Sequence, residues 1–200
     1  MNKSLSAYIK KYKLLSWRDC DQILEELSNI SFEPHHFINY AGTYEPDDGD
    51  PLMYNSKDGQ LSNEIYLTIM QSYFDCLLSY INDLNFPWYS NWNGYTAPKF
   101  NYYTKGMHMK NHCDHIDDIF TGDVKGVPVL SMIATLNDDF EGGKFIMCND
   151  EDHTVSKGEV VIFPSSFLYP HKIEPLVTGT RVSMVSWVYL LINNFMITCN

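Results

Sequence analysis

The sequence predicts a mainly β fold, a sandwich with helices packed on one face. Three observations carry that reading. Aromatic residues make up 14% of the 200 residues, with 14 Tyr, a supply suited to pleated surfaces. The second half breaks into short β-branched or aromatic segments punctuated by Gly, Pro, Asn and Asp. The first half holds two helical stretches, and nowhere do strand-like and helical segments alternate.

In chain order, "SWRDCDQILEELSNI" opens on Ser16 with Asp19 three residues on, a capping-box spacing. Ile23, Leu24 and Leu27 then recur at helical intervals. Pro, Gly and acidic residues mark residues 44–61 as a surface loop, a linker or a cover over substrate. A second helix follows in "LSNEIYLTIMQSYFDCLLSYINDL", with Ser62 as N-cap and Ile65, Ile69, Phe74, Leu77, Leu78 and Ile81 near the helical period. Strands are expected in "APKFNYYTK", "VPVLSMIATL", "GKFIMC", "GEVVIFP", "HKIEP" and "TRVSMVSWVYLLI". The chain reads as one domain, with a helical N-terminal support region over 1–95 and a β core over 96–192.

The formal net charge is −11, which argues against a nucleic-acid partner, since such binding rests on Lys and Arg neutralising phosphates. Five scattered Cys without a C-x-x-C, no apolar leader after Met1 and no run long enough to span a bilayer predict reduced thiols and a cytoplasmic protein with no membrane partner. A compact domain of this kind fits a small bacterial or phage protein.

"NHCDHID", residues 111–117, concentrates metal-ligand chemistry. His112 and Asp114 are two apart, so in a strand both point the same way while Cys113 points elsewhere. His115, His153 and His171 are candidates for a third ligand; His171 sits between two strand-like segments. Two His and one carboxylate on one face of a metal leave the opposite face open, which suits non-haem Fe(II). Structural zinc is disfavoured because no second Cys stands at finger spacing, and a zinc hydrolase because H-E-x-x-H is absent. Arg181, ten positions after His171 in an apolar strand, needs an anion there. A guanidinium fork suits a carboxylate, as a dicarboxylic cosubstrate would supply.

From residue 99 onward the sequence resembles the Fe(II)/2-oxoglutarate-dependent dioxygenases, in particular the prolyl 4-hydroxylase-like branch. The pattern Y-x-x-G-x-x-(Y/M)-x-x-H-x-D is met by Tyr103, Gly106, Met109, His112 and Asp114. Gly142-Gly143, the strand Gly158 to Pro164, and a distal His171 followed by Gly179, Thr180 and Arg181 come in the family's order. The resemblance implies a double-stranded β-helix, a cupin-like jelly roll, with the N-terminal helices on one sheet. It implies iron held by His112, Asp114 and His171. Arg181 would bind 2-oxoglutarate, with Tyr103 and Thr180 beside it as further cosubstrate contacts. The expected cofactors are Fe(II), 2-oxoglutarate as cosubstrate and O2, with ascorbate as reductant. The expected activity is hydroxylation of a C–H bond of a prolyl or other protein or peptide residue, coupled to decarboxylation to succinate and CO2. Rival readings are a small-molecule oxygenase on the same scaffold and a non-catalytic metal-binding jelly roll. Met109 stands where a Tyr is frequent, and Arg181 where the collagen-type enzymes often carry Lys.

Overall fold

A computed structural model describes residues 4–35, 37–38, 44–45, 49–85, 94–114, 127–148 and 150–190. The N-terminal part contributes strands β1 (Lys10–Lys13), β2 (Glu33–Pro34), β3 (Phe37–Ile38), β4 (Tyr44–Glu45) and β5 (Leu52–Asn55), with helices α1 (Trp17–Leu27) and α2 (Asn63–Leu84). Then follow β6 (Lys99–Tyr103), β7 (Met109–His112), β8 (Val127–Thr135), β9 (Phe140–Gly142), β10 (Phe145–Met147) and β11 (Glu151–Asp152). The chain continues through β12 (Glu159–Pro164), β13 (His171–Ile173), β14 (Leu176–Gly179) and β15 (Arg181–Leu190).

Among the described residues a seven-stranded sheet runs β1-β12-β8-β15-β6-β5-β2, and a four-stranded sheet runs β11-β10-β13-β7. All strand pairs in both are antiparallel. This is the expected jelly roll: mostly sheet, two long helices, and an interior between the sheets.

β15 is the spine of the large sheet, flanked by β8 and β6. Its residues alternate between the faces, as a pleated strand requires. Val182, Met184 and Val188 turn outward and join Phe100, Met132 and Ala134 with Ile23, Ile69, Leu77 and Leu84 of the helices in one apolar cluster. Each buried Val, Leu, Ile, Phe or Met side chain contributes about 1.5–3 kcal/mol. Val185 turns inward and joins Ile133, Val161 and Phe163 in a second cluster, which the small sheet completes through Phe145, Met147 and Ile173.

Local signals set the helix starts. The Ser16 hydroxyl accepts from the Asp19 amide at 3.1 Å, and the Asp19 carboxylate accepts from the Ser16 amide at 3.1 Å. The Ser62 hydroxyl accepts from the Ile65 amide at 3.3 Å and donates to Glu26 at 2.6 Å, which ties the start of α2 to α1. Tyr73 donates to the Met184 carbonyl at 3.2 Å and fastens α2 to β15.

Three expectations need correction. The region over 1–95 is more than helical support: β1, β5 and β2 extend the large sheet, with β1 on β12 and β5 on β6. The proposed loop over 44–61 contains β5, held in the sheet because Tyr54 stacks on Phe100 at 6.0 Å. On α2, Phe74 and Leu78 are exposed; Tyr73, Cys76 and Tyr80 fill the buried face instead.

Candidate metal and cosubstrate site

His112 ends β7 and His171 begins β13, and the two lie directly opposite each other across that antiparallel pair. Their rings sit 4.4 Å apart between centroids. Asp114 follows just past the end of β7 and returns toward both, its Oδ1 lying 3.6 Å from His112 Nε2 and 3.7 Å from His171 Nε2. One ligand atom from each of the three falls within 4.8 Å of the others.

The backbone sets the tautomer of both imidazoles. His112 Nδ1 faces the Lys110 carbonyl at 2.7 Å, and His171 Nδ1 faces the Tyr169 carbonyl at 3.1 Å. A carbonyl can only accept, so each Nδ1 carries the proton and each Nε2 keeps its lone pair for a metal. Burial lowers the His171 pKa, against the opposing pull of Asp114. Burial would raise the Asp114 carboxyl, but His171, His112 and the Ser131 hydroxyl outweigh it and hold it well below the usual carboxylate range. The cluster therefore offers two imidazole Nε2 atoms and a carboxylate, the donor set of an open-faced metal centre.

Ser131 and Ser165 are contributions that sequence reasoning missed. Ser131 Oγ donates to Asp114 Oδ2 at 2.5 Å and lies 2.7 Å from Ser165 Oγ, both residues being buried. This contact occupies Oδ2 and leaves Oδ1 toward the imidazoles. The signal was a Ser inside the apolar strand "VLSMIAT". Phe145 and Phe163 wall the site, with ring centroids 5.3 and 5.1 Å from the His171 ring.

Arg181 begins β15 and is 1% exposed. Its Nε and Nη1 lack a hydrogen-bond partner among the described residues. Burying charged N–H groups without an acceptor is costly, so the position calls for an anion. Burial lowers the Arg181 pKa, and Tyr103, directly opposite on β6, counters it. The Arg181 guanidinium carbon stands 5.2 Å from the centre of the Tyr103 ring. Tyr103 is pushed up to about 12 by burial, against the lowering effect of Arg181, and stays a neutral phenol. Asn137 clamps the entry to β15: its Nδ2 donates to the Thr180 carbonyl at 2.6 Å and its Oδ1 accepts from the Val182 amide at 2.8 Å. Thr180 itself is half-buried at that entry.

Gly143 has φ of +59°, and a Cβ there would meet the Arg181 Cδ at 3.1 Å and Leu176 Cδ1 at 2.9 Å. The Gly-Gly pair thus lets the chain pass against the guanidinium. Also on the inner face are Asn101, Ser183 and Thr135 in one cross-strand row. The buried Asn101 Oδ1 and Thr135 Oγ1 lack partners among the described residues.

Other candidates lie apart from the cluster. Cys113 turns its thiol toward the Phe167 carbonyl at 3.8 Å. His153 lies 3.4 Å from Glu151, His108 packs over Gly49, and His35 contacts Lys99. Asp139 accepts from Asn137 in the connection after β8. Met109 is buried in the inner apolar cluster. His36, His115, Asp117 and Asp118 lie outside the described residues.

Residues 98–189, the span that holds His112, Asp114, His171, Arg181 and Tyr103, match the sequence profile of the 2OG-Fe(II) oxygenase superfamily. Over that span, a little under half of the chain, the sequence is similar to that superfamily. It is 30% identical over 103 residues to a PKHD-type hydroxylase of Crocosphaera subtropica, covering 48% of this chain and 44% of that one. The chain therefore spans less than half the length of this curated relative. Among solved structures, the viral collagen prolyl hydroxylase from Paramecium Bursaria Chlorella virus-1 has a TM-score of 0.63 at 15% identity, over 91% of this chain and 95% of that one. A Trichoplax adhaerens prolyl hydroxylase, solved with a hypoxia inducible factor peptide fragment, has a TM-score of 0.67 at 13% identity, over 92% and 84%. These likenesses confirm the jelly-roll fold. No described helix is long and apolar enough to cross a membrane.

Proposed function

We propose that this chain is an Fe(II)- and 2-oxoglutarate-dependent dioxygenase that hydroxylates a C–H bond of a prolyl or other protein or peptide residue. One observation carries the reading: a His-Asp-His cluster with three convergent donor atoms shares the sandwich interior with a buried guanidinium whose Nε and Nη1 have no acceptor among the described residues.

In this reading His112 Nε2, Asp114 Oδ1 and His171 Nε2 hold the iron. Arg181 takes the distal carboxylate of 2-oxoglutarate, and Tyr103 lends its un-ionised hydroxyl to the same end, with Thr180 beside them. When bound, the iron supplies the activation of O2 that couples 2-oxoglutarate decarboxylation, to succinate and CO2, to C–H hydroxylation. The protein's part is placement and exclusion of water. Ser131 fixes which Asp114 oxygen faces the metal, and Phe145 and Phe163 keep the His171 side apolar. Ascorbate serves as reductant. The free cysteines among the described residues fit a reducing, cytoplasmic setting. A peptide substrate is favoured by the fold shared with the peptide-bound neighbour.

The test is succinate release by the full chain supplied with Fe(II), 2-oxoglutarate and ascorbate. Alongside it, mass spectrometry would seek an added oxygen atom on candidate proline-containing peptides. The reading expects succinate that depends on both iron and 2-oxoglutarate and vanishes in His112→Ala. Metal binding without any 2-oxoglutarate binding would instead mark a non-catalytic jelly roll.

A further inference from the structure

Between β12 and β13 the chain turns over residues 166–169, closed by the Tyr169 amide donating to the Ser166 carbonyl at 2.9 Å. The turn is fastened to the surroundings of all three candidate metal ligands. Just before it, the Ser165 amide donates to the Val129 carbonyl at 3.1 Å, and the Ser165 hydroxyl lies 2.7 Å from that of Ser131, which holds Asp114. Within it, the Phe167 carbonyl faces the thiol of Cys113, the residue between His112 and Asp114. At its end, the Tyr169 carbonyl accepts from His171 Nδ1 at 3.1 Å. Tyr169 is itself buried, with its ring centroid 6.5 Å from that of Phe163 and its hydroxyl donating to the Leu5 carbonyl at 3.2 Å.

The two central residues do not follow from this frame. Turn centres favour Pro, Gly, Asn, Asp and Ser, which preset the backbone or bond to it locally. Here they are Phe167 and Leu168, 69% and 49% exposed. The exposed part of an apolar side chain adds no burial to the fold. A local rule broken without a structural return marks a functional position.

Their place indicates what covers them. The cluster reaches solvent on the His112 side, where that side chain is 15% exposed, whereas Arg181 is 1% exposed. With 2-oxoglutarate filling the interior toward Arg181, a substrate brings its C–H bond to the metal from the His112 side, past the turn. The pair exposes on the order of 200 Å² of apolar surface, against roughly 800 Å² per partner in a stable interface. That area suits one side chain of a bound segment and falls well short of a second copy of the chain.

We propose that Phe167 and Leu168 form an apolar subsite, and that the peptide substrate places a large aliphatic or aromatic side chain on it, close in sequence to the residue that is hydroxylated. The inference rests on the oxygenase reading, because it takes the metal and Arg181 as already engaged by 2-oxoglutarate.

The experiment uses the full chain loaded with Zn(II), a diamagnetic stand-in that supports no turnover, and saturated with 2-oxoglutarate. Phe167→4-fluorophenylalanine supplies a fluorine NMR signal at the turn. The probes are acetyl-Ala-Ala-Pro-Ala-Ala-amide and the versions with Leu at each flanking position in turn. The expected result is that at least one Leu peptide shifts the fluorine signal and binds about tenfold or more tightly than the all-Ala parent. The position that gains gives the spacing between the subsite and the metal. Leu168→Ser should abolish the gain and Leu168→Met should keep it, a rescue that misfolding would not give. Equal binding of all peptides, a gain that survives Leu168→Ser, or no fluorine response while 2-oxoglutarate is bound would overturn the proposal. So would a dimer in sedimentation that is lost in Leu168→Ser, since a second copy would then be the occupant. Failure of 2-oxoglutarate itself to bind is a distinct outcome and would overturn the oxygenase reading.

Discussion

The two faces of β15 are built from alternating residues of one strand, yet they answer to different demands. The outward face offers Val182, Met184 and Val188 to the helices, in a cluster filled by apolar side chains. The inward face carries Arg181, Ser183 and Trp187, and both Arg181 and Trp187 bury N–H groups without an acceptor among the described residues. The first face lowers the free energy of the fold, while the second keeps costly groups in place for a ligand. Stability and function can therefore be perturbed separately on a single strand.

The largest effect is expected on the outward side. Phe100 is fully buried between Met184 and Tyr54 on neighbouring strands. Phe100→Ala should cost about 3–5 kcal/mol in denaturant unfolding, through lost burial and a cavity. The affinity of the remaining folded protein for 2-oxoglutarate should be nearly unchanged.

Arg181→Met should show the opposite signature. Binding of 2-oxoglutarate, followed by calorimetry with Fe(II) present, should weaken by about 2 kcal/mol or more, roughly thirtyfold. The Tm of the ligand-free protein should hold or rise, because an unmatched buried charge gives way to an apolar chain of similar length. A fall in Tm like that of Phe100→Ala would erase the contrast between the faces.

Acid should affect the inward side first. Burial depresses the His171 pKa, so below the ordinary His value of about 6.5 the unfolded chain binds a proton that the folded chain resists. Stability of the metal-free protein should be full above that pH and decline as pH falls below it. Iron affinity should fall over the same range, since a protonated imidazole has no lone pair to give. Paired thermal melts and metal titrations between pH 5 and pH 8 check both, at about the unperturbed His value. Stability flat across that window would contradict a buried neutral His171.

The smallest effect lies far from both faces. Ser16→Ala removes one half of the capping box on α1 and should cost about 1 kcal/mol in unfolding free energy, leaving metal and 2-oxoglutarate binding intact.

Much of the inward face was legible in the sequence because its chemistry is carried by residue types rare in strands. His112 and Asp114 stood out in a run dense in metal-ligand types, His171 between two strand-like segments and Arg181 in an apolar strand, and the structure brings the first three together as a cluster. The helix starts at Ser16 and Ser62 were legible because capping is local. The strand character of β1 and β5 was not. "KKYK" and "LMYN" are four residues each, and they become strands only by pairing with β12 and β6, which no local pattern announces. On α2 apolar residues occur on more than one side, so periodicity alone chose Phe74 and Leu78 for burial. The sheet instead takes Tyr73, whose ring packs and whose hydroxyl finds the Met184 carbonyl. Ser131 and Thr135 gained meaning only once cross-strand register put them beside Trp187 and Ser183.

The central claim is that the inward face assembles iron and 2-oxoglutarate together. Its most direct test is an anaerobic titration of the full chain with both, read by visible absorption for the charge-transfer band of an iron(II)–2-oxo acid chelate. The account predicts a band that needs Fe(II) and 2-oxoglutarate at once, saturates near one iron per chain, and is lost in His112→Ala. A folded chain that binds iron yet gives no band at saturating 2-oxoglutarate, or a band that persists in His112→Ala, would contradict it.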